Sequence, residues 1–372
     1  MIAILKDYDL NKYCIGCFST CQQTDAALKE KGLNIFHYAD GRMHILSENA
    51  AFDVVPQTAA FFEELHDFDT LQVFSSGMVR LQCSEYSEEN TLFVTSACNS
   101  NCVMCPSANN SRRFAEIPQA AELLELVRHY PNNIDHLTIT GGEPFLLREE
   151  LFPVLAQLKA NHNETEYLVL TNGRIFCLDR YVQQLAETAP RYTTLAIPIH
   201  GSTAEKHDAI TRAKGSFAQT VSGISKLLAA RIPIELRIVV SKLNADDITN
   251  TAQMIAALFP TVTNVNFIGL EMLGNAAANQ ADVWLRYKTA FEASRQAADI
   301  LIAARINTGF YNFPLCAVSP AYWPICQKSI SDYKRSFPAP CEHCSKNHIC
   351  GGVFEGSLRF ALADMKPFEE RT

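Results

Sequence analysis

The chain has 372 residues, 48% of them hydrophobic, with 40 Asp and Glu against 32 Lys and Arg. That is enough apolar material to bury one barrel-sized core with smaller additions, and it excludes a disordered chain. A mild acidic excess with no basic run excludes non-specific nucleic-acid binding. The opening MIAILKDYDLNKYC has neither a basic start nor a long apolar segment, so no signal peptide or membrane span is predicted and a cytoplasmic protein is expected. In a reducing compartment, 13 cysteines point to metal ligation rather than to a disulfide framework.

Residues 1–90 read as a small β-rich region, with short alternating runs LNIFHYA, MHILS, LQVFSS and VRLQC. Cys14, Cys17 and Cys21 lie in YCIGCFSTC and Cys83 follows later. Four thiolates suffice for a zinc or iron–sulfur site, and free thiols are the plainer reading. After the acidic turn CSEYSEEN, strands and amphipathic helices alternate: TLFVTSA, HLTIT, EYLVLT, TTLAIPI, IPIELRIVV and NVNFIGL, with helices between them. Six βα units over residues 91–305 predict an α/β fold, a partial (β/α)6 barrel that stays open, with ligands at the carboxyl ends of its strands. The helix VWLRYKTAFEASRQAADILIAARI closes this region, and residues 306–372 form a Cys-rich extension poor in hydrophobic period.

The chemistry is concentrated just after the first barrel strand. Cys98, Cys102 and Cys105 are separated by three and then two residues in CNSNCVMCPS. Three thiolates on one loop can hold three irons of a cubane cluster and leave the fourth iron open to a small molecule. A zinc site, or three unrelated thiols, is the bland alternative. Behind the second strand stands Thr140-Gly141-Gly142-Glu143-Pro144, whose two glycines let the backbone turn tightly and approach a neighbour closely. The third strand ends in Thr171-Asn172-Gly173 and the fourth in IPIHGST.

These motifs resemble those of the radical S-adenosylmethionine (SAM) enzymes. The resemblance implies that Cys98, Cys102 and Cys105 hold a SAM-binding 4Fe-4S cluster, with Met104 covering it where relatives carry an aromatic residue. It further implies that Gly141, Gly142 and Glu143 meet the methionyl ammonium of SAM and that Thr171 and Asn172 line its pocket. His200 stands where many peptide-modifying relatives have a polar contact of another type. Arg237 and Ser241 suit the SAM carboxylate, Arg by its forked donors, and Glu271 in GLEMLGNA faces the pocket. His207, Asp208, Arg212 and Gly215 also carry the likeness; they read first as loop and helix-cap residues, with Arg212 a secondary site candidate.

The tail repeats the theme with Cys316, Cys326, Cys341, Cys344 and Cys350. Spacings of two and five residues within the last three resemble the shorter auxiliary-cluster domains of peptide-modifying radical SAM enzymes. The resemblance implies a second 4Fe-4S cluster on Cys316, Cys341, Cys344 and Cys350, Cys316 being preferred to Cys326. A structural zinc on the same thiolates is the alternative, and either metal would hold together a tail with little core of its own.

CNSNCVMCPS, IPIHGS, YNFPLC, SISDYK and CEHCSKNHICGG together resemble the maturases of the His-Xaa-Ser repeat peptide system. By that resemblance the chain takes an electron from a flavodoxin- or ferredoxin-like donor, cleaves SAM to a 5′-deoxyadenosyl radical and modifies a ribosomally made precursor peptide, with a second maturase as a possible partner and neither nucleic acid nor membrane involved. Two rivals stand beside it: a radical SAM enzyme of a small metabolite or nucleotide, and a non-catalytic iron–sulfur scaffold or electron carrier.

Overall fold

The computed structural model describes residues 2–10, 12–107, 120–328 and 334–369. Most of the SISDYK segment, residues 329–333, lies outside them.

The N-terminal strands are β1 (Ala3–Ile4), β2 (Cys14–Ser19), β3 (Ile35–Ala39), β4 (Arg42–Ile45), β5 (Ala50–Asp53), β6 (Thr70–Val73) and β7 (Met78–Cys83). They make one sheet in the order β1-β7-β6-β2-β3-β4-β5. Its two ends meet at the Leu5–Val54 bridge, where Lys6 N–H donates to Asp53 C=O (2.8 Å) and Val55 N–H to Ile4 C=O (2.8 Å), so the sheet curls onto itself. This curl leaves its end strands partnered. The helix α1 (Gln22–Glu30) packs on β2 and β3.

The alternation of β2 decides the fate of its cysteines. Cys14 joins the core with Phe18 and Phe36, whereas Cys17 packs with Leu28 and Ile35 in a separate cluster. Residues three apart on a strand face opposite ways. Cys14 and Cys17 therefore cannot ligate one metal, and the four-thiolate site weighed for this region does not form. Instead the Cys17 thiol donates to the carbonyl of His129 (3.3 Å), which also accepts from the Thr70 hydroxyl (2.6 Å). The His129 ring accepts from Asn34 N–H at Nε2 (3.0 Å) and donates to Glu125 C=O from Nδ1 (2.8 Å). One buried histidine thus docks the N-terminal sheet on the helix α2 (Ala120–Arg128), and burial lowers its pKa so that it stays neutral.

The second sheet is parallel and open: β8 (Thr91–Phe93), β9 (His136–Thr140), β10 (Glu166–Leu170), β11 (Tyr192–Pro198), β12 (Ile234–Val239), β13 (Asn264–Ile268), β14 (Asn307–Tyr311) and β15 (Cys326–Gln327), paired in chain order. Among the described residues the sheet therefore has eight strands and not the six expected. The first six are those read from the sequence; the seventh, NTGFY, was hidden by its Asn, Gly and shortness, and the eighth is only two residues long. One side of the sheet is the main core. Leu137 and Ile139, Tyr167 and Val169, Leu195 and Ile197, Leu236 and Ile238, and Val265 and Phe267 all point into it. Their alternates face the other way, as the two-residue period of a strand requires. Helices α3 (Leu151–Asn161), α4 (Asp179–Thr188), α5 (Ala204–Thr211), α6 (Ser216–Ala229), α7 (Ile248–Leu258) and α8 (Tyr287–Ala303) connect the strands. On α3, for example, Leu151, Phe152, Val154, Leu155 and Leu158 are buried, the stripe expected of a helix laid on a sheet. No helix among the described residues is long and apolar enough to cross a membrane.

Candidate functional site

The loop after β8 carries Cys98, Cys102 and Cys105, all half-buried. Its backbone is pinned from outside. Asn101 N–H donates to Thr211 C=O (3.0 Å) and Val103 N–H to Ile210 C=O (2.9 Å). The Asn275 amide reaches Asn101 Oδ1 and Cys102 C=O (both 3.0 Å), and the Asn279 amide reaches Val103 C=O (3.0 Å). Val103 and Met104 turn inward against Ile210, Leu270, Met272, Ala276 and Val283, so Met104 belongs to an apolar jacket around the loop. Backbone N–H groups of Ser100 and Ser107 point at Cys98 Sγ (3.4 Å) and Cys105 Sγ (3.5 Å). Such donors stabilise thiolates and suit sulfurs that ligate iron.

The Gly141–Gly142 turn fits directly against the root of this loop. Gly142 N–H donates to Thr95 C=O (2.6 Å) and Glu143 N–H to Ala97 C=O (2.8 Å). A Cβ on Gly141 would strike the Thr95 carbonyl, and one on Gly142 the carbonyls of Ser96 and Ala97. The close approach that the glycines permit is therefore made to the cysteine loop itself.

Glu143 is 3% exposed, and its carboxylate joins two strand ends. Oε1 accepts from Phe145 N–H (3.1 Å) and the Thr171 hydroxyl (2.7 Å), and Oε2 from Asn172 N–H (2.7 Å). Burial raises its pKa, and these donors work against that rise. Asn172 continues the chain of contacts, its amide donating to Asn99 Oδ1 (2.7 Å) in the cysteine loop. Arg174, which carries no motif, also braces that loop: one guanidinium nitrogen donates to Asn99 C=O (2.8 Å) and Ser100 Oγ (3.1 Å), and Nε to Gln219 (2.8 Å).

At the exit of β11, His200 is buried and its N–H donates to His207 Nδ1 (3.2 Å). Burial drives the pKa of His200 down to about 3 and that of His207 down to about 4, so both are neutral. His200 Nδ1 itself has no hydrogen-bond partner among the described residues, a buried polar atom of the kind a bound ligand satisfies. Asp208 accepts from Gly215 N–H (2.6 Å), the Ser216 hydroxyl (2.8 Å) and Phe217 N–H (2.8 Å), capping α6. Gly215 and Arg212 both sit in the left-handed region, at φ 81° and 52°.

Arg237 lies within β12 rather than at its end, on the face away from Leu236 and Ile238, and its Nε pairs with Glu235 at 2.5 Å. Ser241 is fully buried, and its N–H and hydroxyl both donate to Asn244 Oδ1 (2.9 and 3.2 Å). That pattern makes Ser241 a turn residue with its hydroxyl proton already used. Glu271 stands beyond β13; burial raises its pKa and Lys334 opposes the rise.

The tail brings four cysteines together. Cys316, Cys341, Cys344 and Cys350 line one pocket with Phe337, Met365 and Phe368. Cys326 is not among its lining residues; its thiol points to Tyr322 C=O (3.5 Å). Backbone N–H groups address three of the four sulfurs: Lys366 to Cys316 (3.3 Å), Phe368 to Cys344 (3.3 Å), and Leu315 and Gly352 to Cys350 (both 3.4 Å). Burial, then the nearby Cys316, Cys344 and Cys350, push the Cys341 thiol up to about 11. A metal relieves that crowding by binding the thiolates. Among the described residues no three Cys, His, Asp or Glu side chains converge on a single-ion geometry. The fit of a metal group rests on the sulfur-directed N–H donors and the grouping of thiols.

Residues 92–255 match the Radical SAM superfamily. The matched residues run from β8 into α7 and include Cys98, Cys102 and Cys105. The chain is 27% identical to the AdoMet-dependent heme synthase of Methanosarcina barkeri over 47% of this chain and 49% of that protein. It is 27% identical to the mycofactocin maturase MftC of Mycolicibacterium smegmatis over 58% of this chain and 52% of that protein. The chain spans about half the length of these curated relatives. Among solved structures, Streptococcus suis SuiB bound to S-adenosylmethionine shares the fold at a TM-score of 0.51 and 12% identity, over 67% of this chain and 55% of that one.

Proposed function

We propose that this radical SAM chain modifies a ribosomally made precursor peptide of the His-Xaa-Ser type in the cytoplasm. One observation carries the reading: the loop of Cys98, Cys102 and Cys105 is clamped to the Gly141–Gly142 turn at the carboxyl ends of parallel strands, where an α/β sheet binds its ligands. When bound there, a four-iron cluster and SAM supply an electron, an open iron position and a 5′-deoxyadenosyl radical. The protein's part is to hold and orient. Backbone at Gly141–Glu143 and Thr171–Asn172 forms the wall next to the cysteine loop, and His200 Nδ1 offers a buried polar contact to SAM. Arg237, paired with Glu235, and Glu271 present charge to the carboxylate and ammonium groups of the ligands. Cys316, Cys341, Cys344 and Cys350 hold an auxiliary cluster. An external flavodoxin- or ferredoxin-like donor provides the electron, and a second maturase joins the complex.

A maturase among the relatives supports the peptide reading. The heme synthase relative favours the second reading, a small-metabolite substrate. Anaerobic SAM cleavage decides between them. A His-Xaa-Ser precursor peptide that raises 5′-deoxyadenosine release and itself changes mass supports the first; release that ignores every peptide and responds to a metabolite supports the second.

A further inference from the structure

The two cysteine groups are far apart in sequence, yet one segment touches the surroundings of both. After β13 the chain runs through residues 269–279, and at its far end this strap grips the cysteine loop. Asn275 N–H donates to Cys105 C=O (2.9 Å), and its side-chain amide holds Asn101 and Cys102 (both 3.0 Å). Gly274, at φ 51°, lies so close to the carbonyls of Pro106 and Ser107 that a Cβ would strike both. At its near end the strap is tied to the tail. The fully buried Ser357 hydroxyl donates to Leu270 C=O (2.5 Å) and accepts from Met272 N–H (3.0 Å). The Leu273 side chain packs on Gly356.

Ser357 is placed between the two tail segments that build the four-thiol pocket. Upstream of it, Cys350 Sγ accepts from Gly352 N–H (3.4 Å); downstream, Lys366 N–H reaches Cys316 Sγ (3.3 Å). Ser357 bonds both polar groups that flank Glu271 on the strap.

We propose that Ser357 and Asn275 are positioning residues for the Cys98–Cys105 loop, and that loading the tail pocket with its metal group orders that loop through residues 269–279. The inference rests on the metal-binding reading of both cysteine groups. Its physical basis is contiguity: the strap meets the cysteine loop and Ser357 through direct hydrogen bonds, and Ser357 is joined to the pocket through the short chain segments on either side of it. Ordering a flexible element in advance lowers the entropy lost when its ligand binds.

The test uses the full chain. Hydrogen–deuterium exchange of the metal-free protein and EPR of the reconstituted, reduced protein with SAM are compared for wild type, Ser357→Ala, Ser357→Thr and Asn275→Ala. Ser357→Ala is expected to keep the wild-type iron content, to speed exchange over residues 98–107 about threefold or more, and to change the EPR signal of the SAM-bound cluster; Ser357→Thr, which keeps the hydroxyl, restores the signal. Loading the tail alone with metal, in the Cys98→Ala/Cys102→Ala/Cys105→Ala variant, is expected to slow exchange over the same residues. Unchanged exchange and EPR in Ser357→Ala, with residues 270–273 exchanging faster, would overturn the proposal, since the tie would be broken without effect. If Ser357→Ala fails to fold, Asn275→Ala reads the other end of the strap. A wild-type protein that binds no iron at Cys98, Cys102 and Cys105 refutes the functional reading instead, while exchange in the metal-free chain still reads the tie.

Discussion

Glu143 accepts the Thr171 hydroxyl at 2.7 Å, a bond between the exits of two neighbouring parallel strands. The same carboxylate takes two backbone N–H groups, so a residue from the Gly-Gly-Glu-Pro motif does architectural work whatever it also does to SAM. Replacing it by Ala leaves three donors without an acceptor. Glu143→Ala should lose about 2–4 kcal/mol in urea unfolding, hydrogen bonds to charge being worth about 1.5–3 kcal/mol each before relaxation. Thr171→Val, which removes one of these donors and the acceptor of Gly173 N–H, should lose about 1.5–3 kcal/mol.

Gly142 tests the fit between turn and loop. Because a Cβ there meets two carbonyls of the cysteine loop, Gly142→Ala should displace residues 96–97. SAM affinity measured on the reconstituted protein should fall by about tenfold or more, corresponding to about 1.4 kcal/mol of lost fit.

Arg174 should matter as much as any motif residue. In Arg174→Ala the cysteine loop loses its bonds at Asn99 and Ser100, and the cluster should be lost faster on gel filtration and chelation than from wild type. Arg174→Lys cannot reproduce the forked donor set and should rescue only in part.

Stability should depend on pH through the buried histidine pair. His200 and His207 have folded pKa values lowered to about 3 and about 4, below the 6.5 of an exposed imidazole. Between those values the unfolded chain binds more protons than the folded one, so unfolding free energy rises with pH and is lost as pH falls below about 6.5. The slope is about 1.4 kcal/mol per pH unit for each whole proton. His207→Phe should flatten the curve between pH 6 and 4, about one proton being removed from the difference, as read from urea unfolding at a series of pH values.

Legibility in the sequence followed the kind of constraint involved. Cysteine spacing survives in one dimension because Cys98, Cys102 and Cys105 share a loop, and so do the Gly-Gly and Asn-Gly turns, each confined to a few residues. The first six barrel strands were legible because one face of each is buried in a continuous core. By contrast, Arg174, Asn275 and Ser357 are single polar residues whose partners lie far away in sequence, and no period marks them. Cys14 and Cys17, weighed as two of four possible ligands beside the plainer reading of free thiols, are sent to opposite faces by the strand pleat. The curl of the N-terminal sheet turns on the Leu5–Val54 bridge, which leaves no pattern in the chain.

The most direct measurement is iron and sulfide content with EPR, under anaerobic conditions, for wild type and for variants lacking either Cys98, Cys102 and Cys105 or Cys341 and Cys344, together with 5′-deoxyadenosine release. Two four-iron clusters predict about eight irons per chain, about four in either variant, and SAM cleavage lost with the first set. Iron that stays at about eight per chain when Cys98, Cys102 and Cys105 are replaced, or SAM cleavage that survives their loss, would contradict the assignment of the site.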